Sequence, residues 1–113
     1  MKYESRFERF ECWGPDGTHR VAEFVRAGFL TAGDNPELYF FRVAGGEVVV
    51  GISGSALRSF EEGRRSLSRE EKIDLAGLWL KRRIEAGTVL DSKNLFLRDE
   101  ELARMAGDLG IPV

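Results

Sequence analysis

The chain is poor in the residues that build metal and redox sites. It has one cysteine, Cys12, and one histidine, His19. A lone cysteine forms no intrachain disulfide, so a disulfide scaffold is excluded and a reducing compartment is the default. Zinc sites built on Cys and His need four such ligands, or three with an open position. Two candidates do not meet that need without several carboxylates, so no metal and no cofactor is expected. Long apolar runs are absent as well. Runs such as Val48-Val49-Val50, with Gly51 and Ile52 after it, fall far short of the roughly 20 residues that span a bilayer. Residues 1–9 mix charges with single aromatics and lack the apolar centre of a signal peptide. A cytoplasmic location without a membrane partner is the simplest expectation.

Excess charge of one sign is also missing. Seventeen basic residues face nineteen acidic ones, for a formal charge of −2 and a pI near 5.5. That balance argues against a dedicated nucleic-acid binder. Only residues 55–87 are mildly basic, with eight Arg/Lys against six Asp/Glu.

What is present is the composition of a single globular domain. In 113 residues, 42% are apolar and 32% charged, and a chain of this size builds a core without staples. No internal repeat or low-complexity stretch interrupts it. Strand signals fill residues 1–54 and helix signals residues 55–113, the segregation expected of an α+β fold.

Two hairpins are expected in the first half. Residues 5–13 and 19–27 flank the turn Gly14-Pro15-Asp16-Gly17. Residues 37–43 and 47–52 flank Ala44-Gly45-Gly46. The second pair is apolar on both faces over part of its length. This suggests helices on one side of the sheet and a second subunit on the other.

Three helices are expected in the second half. Ser55 suits the N-cap of a short helix running to Glu62, with Gly63 at its end. Ser68-Arg69-Glu70-Glu71 fits a capping box that opens a long helix to about Ala86. A third runs from Asp99 to Ala106, with acidic residues at its positive end. In the long helix, Ile73, Gly77, Leu80 and Ile84 share one face, while Leu75, Leu78, Trp79 and Ala86 lie roughly opposite. A second apolar stripe needs a cover, because an exposed Trp/Leu patch is a liability. Either the C-terminal segment supplies it, through Leu95, Phe96, Leu97, Leu102 and Leu109, or a protein partner does. In the latter case Leu75, Leu78 and Trp79 form a homodimer or partner contact.

Chemistry-bearing motifs are few. Gly51-Ile52-Ser53-Gly54-Ser55 is a strand-to-helix junction whose free amides suit an anion, and Ser53, Gly54 and Ser55 are its candidate ligand-binding residues. No Gly-Lys-Ser/Thr follows, so it is not a P-loop. Arg64, Arg65 and Arg69 stand nearby in sequence and add a phosphate-binding possibility. Their alternative is local pairing with neighbouring glutamates. Ser53 lacks the second glycine of a nucleophile elbow. Cys12 has no adjacent group to lower its pKa, and His19 reads as a solvated hairpin residue. The pairs Glu61/Glu62, Glu70/Glu71 and Glu100/Glu101 diverge by about 100° on a helix and read as solvated surface. No catalytic residue is assigned.

The stretch from Phe41 to Phe60 carries a turn glycine, a valine-rich strand, Ile52-Ser53 and then Ala56-Leu57. It resembles a family of small bacterial proteins of unknown function with a strand–Ile-Ser–x-x–Ala-Leu helix junction. A later helix of that family carries Arg-x-x-Ile-Glu; here Arg82 stands one position closer to Ile84-Glu85. The resemblance covers about half the chain and implies no activity.

The expected architecture is therefore α+β, with about four mostly antiparallel strands packed by a long helix and shorter ones. The expected function is a non-enzymatic, self-associating binding or regulatory module. The alternative is an anionic-ligand or nucleic-acid binding module using the arginine cluster and the junction.

Overall fold

A computed structural model describes residues 4–31, 33–62, 66–88 and 96–111. Five strands and three helices follow one another as β1 (Arg9–Trp13), β2 (His19–Phe29), β3 (Glu37–Val43), β4 (Gly46–Ile52), α1 (Gly54–Glu61), α2 (Arg69–Glu85), β5 (Phe96–Leu97) and α3 (Asp99–Leu109). The α+β class holds. The sheet has five strands in the order β1-β2-β3-β4-β5, one more than expected. β1 to β4 form an antiparallel meander, and β5 adds parallel to β4 through the pairs Gly51↔Phe96 and Ile52↔Leu97. The sheet is therefore mixed. Its fifth strand has two residues, too short to show any alternation in sequence.

The hairpins form where turn chemistry places them. Asp16 Oδ1 accepts the Thr18 amide at 2.9 Å, and Gly14 N–H donates to Thr18 O at 2.9 Å. The β3–β4 turn is the two-residue Ala44-Gly45, both with positive φ, so Gly46 already belongs to β4. β2 runs two residues beyond its expected end, to Phe29, and carries an irregularity between Phe24 and Arg26 that shifts its register on β3.

Alternation decides which face is core. In β1, Phe10 and Cys12 are buried and their neighbours exposed; in β3, Tyr39, Phe41 and Val43 are buried. These residues join Val50, Ile52 and the helices in one cluster. On the opposite face Arg9, Glu23, Arg42 and Glu47 lie in register across β1 to β4. Glu23 pairs with Arg9 at 3.9 Å and with Arg42 at 3.6 Å, and Glu47 pairs with Arg26 at 2.8 Å. That face is an ordered ladder of alternating charge.

α2 is the axis of the core. The capping box is complete: Ser68 Oγ accepts the Glu71 amide, and the Glu71 carboxylate accepts the Ser68 amide at 2.8 Å. Every residue from Ile73 to Leu80 is buried, so both apolar stripes are covered. α2 packs against β1 and β4 on one side and against α3 on another. Trp79 Nε1 donates to Glu101 of α3 at 2.9 Å, and the Arg83 guanidinium lies 4.7 Å from the Trp79 ring centre. Leu75 and Leu78 are buried in the same core. The contact assigned to Leu75, Leu78 and Trp79 is thus made within the chain, and this face is not open to a partner. Of the residues expected to supply that cover, Leu95 lies outside the described residues, and Phe96 and Leu97 instead form β5. α3 does the covering and runs three residues past its expected end, to Leu109. There Gly110, with φ +74°, and the Ile111 amide on Ala106 O close the helix.

Candidate functional site

The strand-to-helix junction is built at the end of β4. The Ser53 amide donates to Leu97 O at 3.0 Å, which ties β5 to the strand as it turns. Ser53, not Ser55, is the N-cap of α1, its Oγ accepting the Ala56 amide at 3.3 Å. The chain enters the helix two residues earlier than Ser55 suggests because Gly54 is already its first residue.

The anion position at this helix start is taken by the protein's own carboxylate. Asp34, from the β2–β3 loop, accepts the Ser53 hydroxyl at 2.6 Å, the Ser55 hydroxyl at 3.2 Å and the Ser55 amide at 3.3 Å through Oδ2. The Ser53 hydroxyl bond first, and the Ser55 amide next, hold the Asp34 carboxyl below the usual range. Behind it, the Gly54 backbone lies directly against the carbonyls of Asp34 and Asn35. Ser53, Gly54 and Ser55 therefore act together, as expected, but on Asp34.

Of the arginines, Arg69 does not join them. Arg69 lies over the Phe24 ring, 5.4 Å from its centre. Arg64 and Arg65 fall outside the described residues. The cleft beside the junction holds about 650 Å³ and is lined by Ser53, Ser55, Phe96, Arg98 and the carboxylates Asp34, Asp99, Glu100 and Glu101. Among the described lining residues, four carboxylates stand against one guanidinium, a balance that disfavours a phosphate in this cleft. Among the described residues, no group of three or more His, Cys, Asp or Glu is placed to hold a metal.

The lone Cys and His do not meet either. Cys12 is buried in the core, and burial, with the Glu85 charge behind it, pushes its thiol pKa up, away from the reactive thiolate. His19 stacks on Trp13 with ring centres 5.1 Å apart and lies 3.7 Å from Glu11. Tyr39 donates its hydroxyl to Glu37 at 2.8 Å, and burial followed by that bond raises its pKa well above the ordinary value.

A different feature is exposed and, among the described residues, unpaired. β2 has eleven residues and β1 five. β1 pairs with β2 only over His19–Glu23, and the Phe24 amide adds one bond to Glu8 O at 2.7 Å. From Val25 to Phe29 the outer edge of β2 meets no strand among the described residues. The backbone groups on that edge follow from the ladder. Leu30 N–H donates to Pro36 O at 3.0 Å, so residues 30, 28 and 26 point their polar groups toward β3. By alternation, Ala27 and Phe29 point theirs outward. The side chains there are apolar and exposed: Val25 is 38%, Phe29 70% and Leu30 46% accessible, and with Trp13 they are the exposed large hydrophobics among the described residues. The one charge, Arg26, is folded back onto the sheet, 3.9 Å above the Phe40 ring and 2.8 Å from Glu47, so it does not guard the edge. The sequence does not flag this place, since residues 5–13 and 19–27 read as strands of equal length and the mismatch appears only in the structure.

No family model, curated protein or solved structure matches the chain.

Proposed function

We propose that the protein is a non-enzymatic interaction module that binds a polypeptide strand along the outer edge of β2, residues 25–30. The observation that carries this reading is the length mismatch of the first hairpin. Among the described residues, it leaves the outward N–H and C=O groups of Ala27 and Phe29 without a strand, beside three exposed apolar side chains. Folded proteins shield such edges with charge, proline or a covering element. Here the charge is turned away, the segment has no proline, and no described element lies over it. Strand addition supplies the missing bonds, and alternate side chains supply selectivity.

A fluorescently labelled peptide of residues 23–31 is the direct probe. Fluorescence anisotropy should show saturable binding to the wild-type chain. Ala27→Pro removes an outward N–H without touching a bond to β3, and should weaken binding at least tenfold, about 1.4 kcal/mol, with an unchanged circular dichroism spectrum. No binding to the wild type, or equal binding to Ala27→Pro, rejects the reading.

A further inference from the structure

The edge is complementary to itself, and this bears on what it binds. An antiparallel copy of the segment can be laid against it with Ala27 opposite Ala27. Counted along the chain, Val25 then comes beside Phe29 of the second copy, twice over, at the irregularity between Phe24 and Arg26, and Arg26 faces Gly28. Both apolar groups that stand 38% and 70% accessible in the single chain gain an apolar neighbour. Glycine opposite Arg26 leaves room for the guanidinium to keep its place over Phe40 and beside Glu47. Each Arg26 is already neutralised within its own chain, so two copies bring no unpaired like charges together. The backbone agrees: Ala27, at the centre, is a residue whose N–H and C=O point outward, so the pair at the two-fold exchanges two hydrogen bonds.

Shifting the register by one residue in each copy, to centre it on Gly28, loses this match. Arg26 then faces Leu30, and Val25 faces Thr31. A register relating residues of opposite parity would set the helix-side face of one sheet beside the charged face of the other. Ala27 and Phe29 share the side of Tyr39, and Arg26 and Gly28 share that of Phe40, so like faces stay together in the Ala27- and Gly28-centred registers alike, and of these two the Ala27-centred one also brings Val25 beside Phe29.

We infer that the strand bound at this edge is that of a second copy of the chain, in an isologous antiparallel pair centred on Ala27. The pair joins two five-stranded sheets into one continuous sheet, with both helical layers on the same face. This inference rests on the strand-addition reading and adds the partner and its register. A six-residue edge is a small interface, below the roughly 1,200 Å² of stable complexes, so the dimer forms and dissociates with concentration.

Two measurements test it on the full chain. Light scattering across a concentration series should show a mass rising from 12.7 kDa toward twice that value. Phe29→Glu, which places a carboxylate opposite Val25, should hold the mass at the monomer value. Cysteine cross-linking then reads the register, with the native Cys12 buried and silent. Opposed residues of an antiparallel pair lie about 4.5–5.5 Å apart at Cα, within disulfide range. In the Ala27-centred pair the two Gly28 Cα atoms are about 8 Å apart. Ala27→Cys should therefore oxidise to a covalent dimer, and Gly28→Cys should not. A chain that stays monomeric overturns the inference, while peptide binding in the same protein would leave strand addition standing. A dimer in which Gly28→Cys links, or neither variant does, overturns the register. A dimer unaffected by Phe29→Glu overturns the edge as its site.

Discussion

In a helix, alanine outranks glycine by up to about 1 kcal/mol. At Gly54 the sign reverses. Read from sequence, a glycine between two serines at a strand-to-helix turn suggests a left-handed backbone. The structure places Gly54 outside the positive-φ glycines, as the first residue of α1. Its requirement is space, because a Cβ there would run into the carbonyl oxygens of Asp34 and Asn35. Those are backbone atoms of a loop fixed by Asp34's own bonds to Ser53 and Ser55, so they do not swing aside as a flexible side chain would. Gly54→Ala should destabilise the fold by about 1–3 kcal/mol, the usual cost of overpacking, measured by urea denaturation. Equal or greater stability would mean that the loop yields and that Asp34 is not held in place. The residue types at this junction were legible as an anion-binding set, and in the structure they bond the chain's own Asp34 carboxylate. That the anion is Asp34, 19 positions before Ser53, was not legible, since no local spacing connects the two.

At the scale of elements, the two apolar stripes of α2 were legible from periodicity, and the need for a second cover followed. Which segment supplied it did not follow, because α3 and a partner present the same demand to the sequence. The segment before β1 shows the same limit from the other side. Residues 5–7 carry no strand signal in the structure. They are strapped to α2 by Asp74, whose carboxylate accepts the Ser5 hydroxyl at 2.6 Å, the Arg6 amide at 2.9 and 3.0 Å and the Phe7 amide at 2.8 Å. Asp74 is fully buried, a position a carboxylate holds only when its oxygens are satisfied. Gly77, one turn on, lets Phe7 lie against the helix: a Cβ there would come within 2.6 Å of the Phe7 Cβ. Arg6 then reaches Leu109 O, at the end of α3, at 2.7 Å. Asp74→Ala should cost about 1–3 kcal/mol, since it strips two part-buried amides of their acceptor. It should also release the strap before the rest of the fold. Hydrogen exchange at the Arg6 and Phe7 amides reads that release; undiminished protection would mean another group is the anchor.

Over the whole molecule, the sheet's outer face and open edge look outward, while the helical layer is closed by α3. Four of the five strands and all three helices could be read from turn residues, alternation and caps. Those signals are local, and the features that escaped them are long-range: the parallel β5, Asp34 at the start of α1, and the unmatched length of β2. α3 lies at the end of the described chain yet touches both α1 and α2, so it binds the last segment to the first helix after the sheet. Leu102, Met105, Ala106 and Leu109 turn inward along it, and Leu102 is fully buried. If α3 were an independent cover, weakening it would detach it and leave the sheet and α2 folded. The shared core argues for one cooperative unit instead. Leu102→Ala should therefore lower global stability by about 2–5 kcal/mol. In a Trp13→Phe background, the fluorescence of Trp79, which contacts Glu101 of α3, should report the same urea midpoint as circular dichroism. An earlier fluorescence transition would show that α3 unfolds by itself, and that the Leu75, Leu78 and Trp79 stripe becomes exposed in a folded protein.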